Sequence, residues 1–159
     1  MIFGANLEKI RELSHQKLTE NSIPYNSNLP FIECGKIRSN NAIAKRVVLC
    51  YAITGLAHEA SQSELKKWLN EEALWDFLLP SERGYFEKEE FTEQEIIDFS
   101  WHQECLYTMC WAGGLVELLG MPYDECQIED LFPLIPPEVE TAKFVSSFEL
   151  RGSKTILQQ

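Results

Sequence analysis

Glu104 is the residue whose setting most invites chemistry. It opens a long apolar run, with Ser100 four residues before it and Trp101 three before it, so on a helix the three share one neighbourhood. A carboxylate in such a place is at least partly buried, and a buried carboxylate is either paired or pushed toward its neutral form. Two roles follow. As a structural group, Glu104 would pair with Arg46, carried by a second buried helix. As a chemical group it would be a general acid or base, or a ligand-binding carboxylate, in a pocket formed with Arg46, Ser100, Trp101 and His102.

Other chemistries lack their residues. His15, His58 and His102 have no metal-binding spacing, and His58-Glu59 opens like a zinc-protease signature that fails at Gln62, where its second histidine would stand. A site of His58, His102 and Glu104 would have to be assembled across helices, without the Glu-x-x-His pairs by which bundles usually hold metals. No Gly-x-Ser-x-Gly elbow occurs, and Gly113-Gly114 lacks the lysine of a phosphate loop. Cys105 adjoins Glu104, whose charge opposes formation of a thiolate. The five cysteines (Cys34, Cys50, Cys105, Cys110, Cys126) form no ladder of disulfides and no zinc spacing, and read as reduced thiols, mostly small core residues. Trp68, Trp75, Trp101 and Trp111 fall at helical positions and read as core packing. No catalytic residue, metal or cofactor is expected from these patterns.

Charge is distributed unevenly. Of the net −11, residues 59–104 supply −9, from thirteen acids and four bases, and residues 124–140 add six acids and no base. Residues 1–58 carry +3. Such a surface repels phosphate backbones, which excludes general nucleic-acid binding, and it attracts a basic protein partner. It also serves plain solubility. The start of the chain shows no basic segment followed by an apolar run, so the expectation is a soluble, cytoplasmic protein with no membrane span.

The elements that position these residues are helices. The 159 residues fit one domain, with an ordinary 45% hydrophobic and 25% charged composition. Leu7, Ile10, Leu13 and Leu18 predict an amphipathic helix over 6–21. Residues 22–33, with Pro24 and Pro30, predict an extended segment lying across the domain. Ser39 is placed to cap a helix through about Ala60, uncharged from Val47 to Ala57 and so buried all round. Ser61 with Glu64 has the capping-box pattern for a helix to about Leu79, and Pro80 restarts a short one. Thr92 with Glu95 opens the longest helix, predicted to reach Leu119 before Gly120 and Pro122. Short helices over 127–134 and 138–148 and a brief strand within 144–150 complete the pattern. The reading is an all-α, single-domain irregular bundle with two buried central helices, about 39–60 and 92–119, and an extended proline-containing segment.

Four blocks of residues carry a resemblance. They are Phe99-Ser100-Trp101 with Glu104, Leu106, Trp111-Ala112 and Gly114-Leu115-Val116; Ile23-Pro24 with Asn26 and Leu29-Pro30; Arg38-Ser39 with Ala44 and Arg46; and Leu74-Trp75 with Glu82-Arg83 and Phe86. Together they resemble the family filed as domain of unknown function 4272, over most of residues 20–126. The resemblance implies a largely helical fold and carries no functional residue to transfer. The chain departs from the family pattern at His102 and Gln103, where Arg and Tyr are common, and at Gly113, where Leu is usual. Its tail, Leu150 to Leu157, resembles the start of a block that members continue into a further helix, so the C-terminal end reads as shortened.

The functional expectation is a non-catalytic acidic helical module that binds a basic protein. The alternative is an enzyme or small-molecule-binding protein with a pocket around Trp101, Glu104 and Arg46, and a homo-oligomer completed through the C-terminus is a third arrangement.

Overall fold

The computed structural model describes residues 7–29, 38–121, 123 and 125–158. Their regular structure is all helical, with no strand among the described residues. Two compact units are distinguished, Ser39–Leu150 and the pair of end segments Met1–Arg38 with Arg151–Gln159.

In the unit of end segments, α1 (Leu7–Glu20) closes with Ser22 in the left-handed region at φ 56, and the Ile23 N–H returns to the Leu18 carbonyl at 2.9 Å. The chain then folds back on α1. Tyr25 stacks on His15 at 4.4 Å, Arg11 donates to the Ser27 carbonyl, and the Asn28 N–H donates to Asn26 Oδ1 at 2.9 Å. The described part of the expected extended segment, to Leu29, is therefore anchored to α1, and residues 30–33 lie outside the described residues. A short helix, α7 (Ser153–Gln158), belongs to the same unit.

The other unit is organised around α2 (Asn40–Ala57). Ser39 caps it by accepting from the Ala42 N–H, and Ala44, Val47, Val48, Leu49, Cys50, Ala52, Ile53 and Leu56 are all buried. Burial on every side explains why nothing charged occurs after Arg46. Against α2 pack α5 (Glu93–Ala112), through Phe99, Leu106, Cys110 and Trp111, and α6 (Thr141–Ser147). The capping box at Thr92 and Glu95 is complete, with the Thr92 N–H donating to Glu95 at 2.9 Å and Lys88 also paired to that carboxylate. Phe99 is the centre of an aromatic cluster, with Phe91 and Tyr85 edge-on at 4.9 and 4.6 Å.

Helix α3 (Gln62–Glu71) is shorter than its pattern predicts. It stops where Ala73 takes φ 53 and the Leu74 N–H returns to the Leu69 carbonyl. This reversal sends Leu74 and Leu78, both buried, into the core from a 3-10 turn (Trp75–Phe77), which a straight helix to Leu79 would not do. Helix α4 (Pro80–Tyr85) follows.

The longest helix likewise ends early, at Ala112 and not Leu119. Gly114 adopts φ 77, its N–H bonds the Trp111 carbonyl, and the Leu115 N–H returns to the Cys110 carbonyl, which is a Schellman closure. Gly113 admits a close neighbour: a Cβ there would lie 2.1 Å from Cζ of Phe148. The expected strand in 144–150 is also corrected. Phe144 and Phe148, both buried and four apart, are apolar at helical spacing, and α6 occupies 141–147.

One group in α2 lacks a partner among the described residues. The Thr54 hydroxyl is buried with no hydrogen bond among the described residues, and Thr54 is 2% exposed. An unsatisfied buried hydroxyl costs about 1 kcal/mol or more. Thr54→Val keeps the branched shape and is expected to raise unfolding free energy by about 1 kcal/mol, read as a higher urea midpoint at unchanged slope. A lower midpoint would show that the hydroxyl is in fact satisfied.

Candidate functional site

The sequence places Arg46 two turns into α2, His102 in the middle of α5, and Pro80 at the start of α4, which sets Glu82 at the third helical position. These three elements bring together one ionic cluster. Both guanidinium nitrogens of Arg46 donate to the Glu82 carboxylate, Nη1 at 2.8 Å to Oε2 and Nη2 to Oε1. The Leu79 N–H donates to Oε2 at 2.8 Å, closing the start of α4. His102 Nε2 lies 3.9 Å from Oε1, while its Nδ1 is 3.0 Å from the Asp98 carbonyl. That carbonyl only accepts, so Nδ1 carries a hydrogen.

Glu82 is only 4% exposed. Burial alone would push its carboxyl up, but the facing His102 and the bonds from Arg46 and the Leu79 N–H prevail and hold it down at about 2. Arg46 is pushed up, chiefly by its bond to Glu82. Glu82 is thus ionised at any ordinary pH and its lone pairs are occupied, a state that suits a structural anchor and not a proton-transferring group.

The expected pairing of Glu104 with Arg46 is not formed. Glu104 turns to the loop after α5, where its Oε1 accepts from the Cys126 N–H at 2.9 Å. Beside it, Gln103 Nε2 donates to the Cys126 carbonyl at 2.6 Å, and the Cys126 thiol lies 3.5 Å from the Gln103 carbonyl. Residues 103 and 104 therefore latch the returning chain onto α5. The physical reason for the exchange is reach and geometry: Glu82 meets Arg46 with both carboxylate oxygens, the stronger bidentate arrangement.

Of the five residues read from the sequence, Arg46 and His102 meet at Glu82, Glu104 holds Cys126, and Ser100 and Trp101 face outward. Ser100 is exposed and its hydroxyl donates to the Ile97 carbonyl at 2.7 Å. Trp101 is 64% exposed, so it is not the core residue that its type predicts, whereas Trp111 is buried. Glu82 is the residue that the reading of chemistry passed over. The signal was present, a Glu two residues after a helix-starting proline, but it stood among thirteen acids of the same stretch.

Three of the thiols offer little nucleophilic character. Burial pushes Cys50 and Cys110 up to about 12, and burial together with the adjacent Glu104 does the same to Cys126. Cys105 is exposed, and Cys34 lies outside the described residues. Among the described residues no group of three or more His, Cys, Asp or Glu side chains is placed to hold a metal ion, and no helix is long and apolar enough to cross a membrane.

The outer face of α5 is open to solvent along one stripe. Ile97, Trp101, Cys105 and Thr108 succeed one another at turns of this helix and are all exposed. Asp98 borders this stripe on one side, and Glu93 and Glu104 on the other.

No curated protein and no solved structure matches the chain. The model of the family described as Domain of unknown function (DUF4272) matches residues 10–159, and the chain belongs to that family.

Proposed function

We propose that the chain is a non-catalytic binding module whose acidic surface receives a basic protein. The observation that supports this most is the fate of the bases in 59–104. All four are engaged by acids of the same stretch: Lys66 by Glu87, Lys67 by Glu71, Arg83 by Asp76 and Lys88 by Glu95. Of the nine acids left over after this pairing, Glu82 is taken by Arg46, and the others include the exposed Glu59, Glu64, Glu72, Glu89, Glu90, Glu93 and Asp98. A field of one sign accelerates encounter with an oppositely charged surface and fixes its orientation. The ionic cluster at Glu82 adds to this reading, because its groups hold one another and leave no acid or base poised for catalysis. Cytoplasmic residence, with reduced thiols, belongs to the same proposal, and the free Cys50, Cys105, Cys110 and Cys126 agree with it.

The test is capture of partners from lysate by the immobilised chain. The expected result is a basic protein retained at about 0.05 M salt and released by about 0.5 M, where screening is several-fold shorter in range. Recovery of no partner, or of one indifferent to salt, would contradict the proposal.

A further inference from the structure

We infer that the outer face of α5 is the docking surface of this module, and that its occupant is a basic amphipathic helix of the partner. The inference rests on the reading above and adds the place and the form of the contact.

The face has an apolar centre. Ile97 and Trp101, one turn apart, are 49% and 64% exposed, and the exposed Cys105 and Thr108 carry the stripe onward. From Ile97 to Thr108 it runs about 16 Å at ~1.5 Å per residue, room for about three turns of a helix laid alongside. An exposed tryptophan beside an exposed isoleucine is the kind of anchor that dominates binding energy at interfaces.

The charge chooses the occupant. At about 100° per residue, Asp98 lies about 60° to one side of Trp101, and Glu104 and Glu93 about 60–80° to the other. An apolar ridge between acidic rims fits a helix with an apolar stripe between Lys or Arg rims. The same rims disfavour a second copy of this chain, because a symmetric contact would set Asp98, Glu93 and Glu104 of both copies against one another. They also repel nucleic acid and anionic lipid surfaces.

The test uses the full chain and a defined probe, an 18-residue helical peptide with a leucine stripe flanked by lysines, labelled and titrated by fluorescence anisotropy at low salt. A control peptide carries glutamate in place of lysine. The expected result is saturable binding of the lysine peptide alone, weakened at least tenfold by Trp101→Ala and by the double change Glu93→Lys with Asp98→Lys. Because Trp101 is mostly exposed, its substitution is expected to leave the thermal midpoint in place. Glu129→Lys with Asp130→Lys, in the other acidic run, is expected to change affinity less than twofold. Loss of binding with that second pair but not with the first would place the contact elsewhere and overturn this inference while leaving the acidic-module reading intact. Absence of lysine-peptide binding altogether would overturn both. A dimer of the wild-type chain in light scattering that Trp101→Ala dissociates would show that a second copy covers the face, against the inference.

Discussion

Glu82→Ala is expected to destabilise the fold by about 3 kcal/mol, a drop of roughly 6–12 °C in thermal midpoint for a chain of this size. The alanine removes three things together: the bidentate partner of Arg46, the acceptor for the Leu79 N–H at the start of α4, and the anion facing His102. What remains is a guanidinium whose side chain is 29% exposed and has lost its charge partner, which is the costly half of breaking a buried pair. Glu82→Gln keeps the shape and an acceptor for Leu79 but loses the charge, so near neutral pH it is expected to cost about as much.

The same carboxylate sets an acid limit on stability. Its folded value, about 2, lies below the unfolded value of roughly 4.3, so the folded state gains by keeping the proton off. The contribution is therefore present in full above the unfolded value and is lost as pH falls from about 5 through about 2, amounting to roughly 3 kcal/mol. Urea unfolding of wild type and Glu82→Gln across that range is expected to converge at the acid end. A constant gap between the two at all pH values would show that Glu82 contributes by packing and not by charge.

The second large effect is at Gly113. Its φ of −86 suits any residue, and Gly→Ala at such a site ordinarily gains about 0.4–1 kcal/mol through the unfolded chain. Here the added Cβ would stand 2.1 and 2.4 Å from ring carbons of Phe148. That ring is 6% exposed and lies against Phe144 at 5.6 Å, so it has no easy way out. Gly113→Ala is expected to cost about 2–3 kcal/mol, the range for forced overpacking. In a Phe148→Ala background the same change is expected to cost close to nothing, giving a coupling energy of about 2 kcal/mol in a double-mutant cycle. Additive costs would show that the two residues do not share space.

Sequence pattern and structure agree where local signals act alone. The uncharged run of α2, its Ser39 cap and the Thr92–Glu95 box locate two helix starts because hydrogen-bonding side chains lie within three residues of the groups they satisfy. Helix ends were less legible. Leu115, Val116, Leu118 and Leu119 continue an apolar pattern past Gly114, and Gly120 with Pro122 is the more conspicuous stop. What decides is the return of Leu115 to Cys110, with Phe148 packed at Gly113, and Phe148 stands just past α6, about thirty-five residues later.

The polar cluster divides in the same way. Arg46 and His102 were legible as polar groups near the core, since each interrupts a helix that is otherwise apolar on that side. Their shared partner was not, because the choice of Glu82 over Glu104 depends on how α4 docks, and nothing in the spacing of residues 46, 82 and 104 encodes that. The exposure of Trp101 against the burial of Trp111 is of the same origin. Ten residues apart, the two face about 80° apart, and only the position of α2 determines which one is covered.

On the function proposed above, the acidic surface binds its partner through the outer face of α5. The most direct measurement is an amide and indole chemical-shift map of the full chain titrated with the lysine-flanked helical peptide at low salt. The expected result is shifts concentrated at residues 97–108, including the Trp101 indole N–H, that fade as salt is raised. Shifts centred instead on Arg46, Glu82 and His102, or shifts that persist unchanged at high salt, would contradict it.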